Sequence, residues 1–77
     1  MKVQIHLLGE LSRFTNGKAQ AQMNLNYDAT VSQVLRRLKI PNSEIFSIFI
    51  NNRLVTRENV LLNQGDKIVF IPVVGGG

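Results

Sequence analysis

Seventy-seven residues make one domain with a thin core, because a chain this short buries only about 60% of the surface its unfolded form exposes. At 44% hydrophobic and 18% charged, with no tryptophan, four phenylalanines and one tyrosine, the composition is globular rather than disordered and demands a mostly aliphatic core. No cysteine is present, which excludes disulfide scaffolds, thiolate zinc sites, iron–sulfur clusters and cysteine nucleophiles, and the net charge of +4 leaves an acidic partner or a nucleic acid to be weighed.

The chain opens with "MKVQIHLLGE", which alternates polar and apolar from the start. It has no apolar stretch of signal-peptide length, and no window reaches the roughly 18 apolar residues of a membrane span. The expectation is a cytoplasmic protein with no membrane partner. "KVQIHLL" reads as a strand with Val3, Ile5 and Leu7 on one face and Lys2, Gln4 and His6 on the other. An excursion, "GELSRFTNGK", follows; Leu11 and Phe14 are spaced for one helical turn, and Asn16-Gly17 signals a turn. "AQAQMNLNY" is the next strand, with Ala19, Ala21, Met23, Leu25 and Tyr27 opposing Gln20, Gln22, Asn24 and Asn26. These two strands are expected to pair antiparallel.

"DATVSQVLRRLKIP" is the helix. Thr30 with Gln33 forms a capping box, and Val31, Val34, Leu35 and Leu38 make one apolar stripe. Arg36, Arg37 and Lys39 suit the negative end of the helix dipole, and Pro41 is expected to stop the helix. "SIFI" reads as a strand, Asn51-Asn52 as a turn and "RLV" as a short return. Gly65-Asp66 makes a further turn into a closing strand, "KIVFIPV". Its run Ile68 to Ile71 is apolar at every position, which suggests a strand buried on both faces, or one with a face covered by a partner. Pro72 cannot donate to a ladder and marks a strand end or an edge.

One amphipathic helix covering one face of a mixed sheet gives a single core. The expected fold is therefore α+β: a ubiquitin-like β-grasp, with a mixed four- to five-stranded sheet, one main helix on one face, and the last strand central beside the first. Residues 1–73 form the domain and 74–77 a flexible tail.

The folded body carries no visible active site. His6 is the only histidine and shares a polar strand face, so it reads as an exposed surface residue. One histidine without cysteine cannot build a structural zinc sphere, so no metal is expected. Asp28, Glu10, Glu44, Glu58 and Asp66 are separated, with no pair spaced for acid–base work. The basic residues are spread out, and the one cluster, Arg36, Arg37 and Lys39, reads as a solvated helix surface. A nucleic-acid module would need clustered cations with exposed aromatics, so no nucleic acid is expected.

What remains is the end of the chain, "IPVVGGG". The glycines open no helix and carry no lysine or serine after them, so they are not a phosphate loop. The α-carboxylate of Gly77 is a poor electrophile until activated as an acyl-adenylate, and without a Cβ nothing crowds its carbonyl. Val74 to Gly77, extended, span roughly 13 Å, enough to reach into another protein's active site.

The β-grasp order, the "DATVSQVLRRL" helix, the "INNRLV" strand–turn–strand and above all "QGDKIVFIPVVGG" resemble the MoaD/ThiS family of ubiquitin-like sulfur carriers. The resemblance implies that a partner activating enzyme adenylates the terminal glycine with ATP. A sulfur donor then converts it to a thiocarboxylate, which gives up its sulfur to a small-molecule precursor. The chain itself would bind no cofactor and be no enzyme. Gly77 and Gly76 would form the reacting end; Gly75, Val74, Pro72, Phe70 and Ile71 would be bound by partners. "GELSRFTNG" and "FIPVV" look more like the small subunit of molybdopterin synthase, with that enzyme's large subunit as partner, than like a thiamine-pathway carrier. A ubiquitin-like modifier passing its carboxyl to lysine is the other alternative. The family usually ends Gly-Gly whereas this chain ends Gly-Gly-Gly, so either Gly77 or, after trimming, Gly76 is the working terminus.

Overall fold

The alternation in the first strand decides the layering. In β1 (Lys2–Leu7), Val3, Ile5 and Leu7 are fully buried, while Lys2, Gln4 and His6 lie on the opposite face. The computed structural model describes residues 1–57 and 59–74, so the expected tail positions Gly75, Gly76 and Gly77 lie outside the described residues. After β1 come a 3-10 helix (Gly9–Thr15), β2 (Gln20–Asn24), α1 (Val31–Leu38), a second 3-10 helix (Asn42–Glu44), β3 (Ile45–Ile50), β4 (Arg53–Val55) and β5 (Lys67–Pro72).

The strands form one five-stranded sheet in the order β2-β1-β5-β3-β4. β5 runs parallel to β1, with Leu7 opposite Phe70, and every other pairing is antiparallel. The mixed sheet, the central last strand and the single main helix are as the sequence predicts. Val31, Val34 and Leu35 of α1 join Val3, Ile5, Leu7, Ile48, Ile68 and Phe70 in one apolar cluster on one side of the sheet. The Gln33 Oε1 accepts a hydrogen bond from the Thr30 N–H at 3.1 Å, holding the helix start as expected. Asn51 and Asn52 adopt φ of 51° and 70°, the two left-handed residues that a tight hairpin with the right twist requires.

Three expectations are corrected. The second strand is shorter than its pattern: it ends at Asn24 because β1 runs out, the Leu25 N–H already pairing with the Met1 carbonyl at 2.7 Å. Tyr27 therefore sits in a turn closed by the Ala29 N–H on the Asn26 carbonyl and is 85% exposed, and Ala19 too is exposed. The helix ends before Pro41 acts. Lys39 takes φ 60°, its N–H bonds the Arg36 carbonyl, and the Ile40 N–H bonds the Leu35 carbonyl, which turns the buried Ile40 back against the helix. His6 is half-buried rather than exposed, because β1 is an inner strand and His6 is flanked by Gln20 and Val69.

Candidate functional site

The site follows from where β5 ends. As the central strand, β5 is paired with β1 as far as Phe70 and with β3 as far as Pro72, which faces Ile45 and has no N–H to continue the ladder. On the β1 side, the Leu8 N–H reaches the Phe70 carbonyl at 3.2 Å and the chain then turns at Gly9. Gly9 has φ +55°, and a Cβ there would stand 3.3 Å from the Pro72 Cγ, so a side chain is excluded both by the backbone and by the close approach. On the β3 side, the Val73 N–H donates to the Glu44 carbonyl at 3.1 Å. Two short helical segments thus flank the root of the tail. A side-chain ion pair joins them: the Arg13 guanidinium binds the Glu44 carboxylate. Arg13 also donates to the Glu10 carbonyl at 3.2 Å and lies over the Phe14 ring at 4.6 Å. Beyond this collar Val73 is exposed, and Val74 is 84% exposed.

The predicted site residues divide sharply. Pro72 and Ile71 are half-buried and Val74 is exposed. Phe70 is a correction: it is fully buried in the core beneath the helix and is no docking residue. Of the adjacent pair, Ile71 is the one on the uncovered face. That face is two-toned. Its β2–β1 half carries Gln20, Gln22, Asn24, Gln4 and His6. In its other half Phe49 lies between Val69 of β5 and Leu54 of β4, and Ile71 lies beside Ser47. Leu54 is 60% exposed, and Phe49, Val69 and Ile71 are half-buried. The apolar second face expected of Ile68–Ile71 is thus Val69 and Ile71, extended by Phe49 and Leu54. Among the described residues no acidic side chain lies on a strand, whereas Lys2, Arg53 and Lys67 do.

Sequence reasoning missed the Arg13–Glu44 pair, whose members stand 31 positions apart with no periodicity linking them. It also gave Asp66 only a plain turn role. The Asp66 carboxylate is buried and accepts from the Asn51 Nδ2 and the Asn63 N–H, each at 2.8 Å, while Asn51 Oδ1 accepts from the Lys67 N–H at 3.0 Å. This network fixes the start of β5 as the collar fixes its end. Among the described residues no three His, Cys, Asp or Glu side chains gather where they could hold a metal, and no helix is long and apolar enough to cross a membrane.

A mixed five-stranded sheet under one main helix, with the last strand at its centre and leading out past the sheet at Val73 and Val74, defines a ubiquitin-like β-grasp protein. The model of the ThiS family matches residues 5–77, and the chain belongs to that family of ubiquitin-like proteins. No curated protein matches it in sequence. Its fold is similar to that of a putative molybdopterin converting factor subunit 1 from Pyrococcus furiosus, with TM-score 0.77 and 19% identity over 96% of this chain and 99% of that one. It is similar also to SAMP1 from Haloferax volcanii, with TM-score 0.76 and 18% identity over the whole of both chains. A third likeness is to a chain in the complex of subunits 1 and 2 of the molybdopterin-converting factor from Helicobacter pylori, with TM-score 0.69 and 21% identity, again over the whole of both chains.

Proposed function

We propose that the chain is a sulfur carrier of the molybdopterin branch, working in the cytoplasm with Gly77 as its reacting end. A partner enzyme joins the Gly77 carboxylate to ATP, releasing pyrophosphate and leaving an acyl-adenylate. A hydrosulfide equivalent from a sulfur donor attacks the carbonyl and displaces AMP, which leaves a thiocarboxylate. A large subunit of the molybdopterin-synthase kind then holds the carrier while that sulfur passes to a pterin precursor. Gly76 and Gly75 admit the end to a narrow tunnel, and Val74 and Pro72 lie at its mouth. Ile71, with Phe49, Val69 and Leu54, forms the apolar surface on which a partner sits, and Lys67 on the same face suits it to a partner with an acidic edge. The observation that supports this reading most is the placement of β5. The chain leaves the sheet at its centre, exposed at Val73 and Val74, in a family member whose described body offers no other chemistry.

The test is deletion of Gly76 and Gly77. The thermal midpoint should stay within a degree or two, since unpacked ends contribute little. Adenylation, followed as pyrophosphate exchange with the cell's activating enzyme, should vanish. With ATP, that enzyme and a sulfur donor, the intact chain should gain the mass of one oxygen-to-sulfur exchange at its last glycine. A truncated chain that still acquires sulfur refutes the reading. An intact chain that gains no sulfur but forms lysine-linked conjugates assigns the modifier branch instead, and one that complements a thiamine-pathway carrier assigns that pathway. Adding one alanine after Gly77 separates the two possible working ends: lost activity marks Gly77, retained activity marks trimming to Gly76.

A further inference from the structure

The tail's root is held from outside the sheet by two segments that do not otherwise belong together. The first 3-10 helix supplies Gly9, over which Pro72 packs, and Arg13. The second supplies the Glu44 carbonyl, which takes the Val73 N–H, and the Glu44 carboxylate, which takes the Arg13 guanidinium. We infer that the Arg13–Glu44 ion pair is a positioning latch that closes a collar around Pro72–Val73 and fixes the direction in which the tail leaves the domain. The inference rests on the carrier reading above for its use, but not for its existence.

The physical case starts from what the ladder cannot do. Beyond Pro72 the β1 side offers no further partner strand, because β1 ends at Leu7 and the chain turns away at Gly9. Val73 therefore keeps one hydrogen bond, to an acceptor in a three-residue 3-10 helix. So short a segment does not hold its own conformation, since nothing propagates from one turn. The Ile45–Pro72 register holds the start of β3 beside β5, and among the described residues the one ion pair that reaches Glu44 comes from Arg13 and ties it to the other helical segment. Arg13 is itself braced by the Glu10 carbonyl, and it lies along the Phe14 ring, whose side chain packs on the core. The fork geometry of the guanidinium gives this contact direction as well as charge. An exposed ion pair adds little to global stability, so its loss should show in local geometry rather than in the fold. Direction matters at this point because Val73 and Val74 leave the domain here. The direction taken at Val73 and Val74 sets where the chain enters a partner's site, and reacting groups tolerate only about 1 Å of misplacement before rates fall.

The experiment compares the intact chain with Arg13→Ala, Glu44→Gln and the exchanged pair Arg13→Glu/Glu44→Arg. Amide hydrogen exchange at Val73 should accelerate about tenfold in each single variant and return to near the intact rate in the exchanged pair. Ile5 and Phe70, deep in the sheet, should keep their protection throughout. In parallel, kcat/KM for pyrophosphate exchange with the activating enzyme should fall about tenfold in the single variants and recover in the exchanged pair. Unchanged Val73 exchange in Arg13→Ala overturns the latch. Faster exchange with unchanged turnover overturns its positioning role. If the intact chain itself is never adenylated, the carrier reading and with it the positioning role fall, while the latch is still decided by the Val73 exchange.

Discussion

Phe70 and Ile71 are neighbours on one strand, and the sheet sends them to opposite fates. Phe70 faces Leu7 and Ile48 and is wholly inside the core; Ile71 stands beside Ser47 on the uncovered face. A domain of 77 residues has a total stability of about 4–12 kcal/mol at 0.05–0.15 kcal/mol per residue. Phe70→Ala removes a buried ring and leaves a cavity, a loss of about 3–5 kcal/mol, so the variant should be marginally folded. Ile71→Asp exposes no core and should lose only about 1 kcal/mol, mainly strand preference. Its effect should fall on partner binding. A charge placed in an apolar contact of this kind is worth about 2 kcal/mol, or roughly 30-fold in Kd. Urea denaturation followed by circular dichroism measures the first quantity, and titration calorimetry against the activating enzyme the second. Comparable destabilisation by both substitutions would show that Ile71 is core. A folded Ile71→Asp that binds every partner at full affinity would refute the use of this face.

Other expectations follow from the same coordinates. Asp66→Ala removes the buried carboxylate, leaves the Asn63 N–H without its charged acceptor and frees Asn51, and should lower stability by about 2–3 kcal/mol, a fall in Tm of some 10–20 °C by calorimetry; a shift under 3 °C would remove the network from the stability account. Lys39→Gly relieves a left-handed residue at the helix end and should raise stability by about 1 kcal/mol, whereas Lys39→Val should lower it, both read from urea midpoints. Chelator and reductant should leave the thermal midpoint where it is, and unfolding by chelator would reveal a metal.

Where a segment has one wet face, its sequence is legible. The strict alternation of β1 and the helical stripe Val31, Val34, Leu35 gave both elements and their buried sides, because a side that must meet water writes itself as polar residues. Adjacent asparagines gave the β3–β4 turn because few other residues accept two left-handed conformations in succession. The run Ile68–Ile71 carries no such mark. Apolar at every position, it has no parity, and only its register against β1 decides that Phe70 goes in and Ile71 out. The end of β2 was equally hidden, since Leu25 and Tyr27 continue the pattern and the strand stops for want of a partner. Lys39 gives no local sign of its left-handed turn, which follows from the burial of Ile40 rather than from its own chemistry.

The same division explains why the chain's end could be singled out while its surroundings could not. The proposed reacting end is reached by elimination, residue type by residue type, which needs only the sequence. A collar is a meeting of distant segments: Gly9, Arg13, Glu44 and Pro72 come together only because β1 and β3 flank β5 and each is bordered by a short helical turn at the end where β5 stops. Placing the last strand at the centre has a further consequence. It is paired with β1 as far as Phe70 and with β3 as far as Pro72, so pull or displacement at Val73 is passed into both neighbours rather than into one edge. A chain end grown from an edge strand would fray with that strand; grown from the centre, it can be handled by a partner while the core that presents it stays closed.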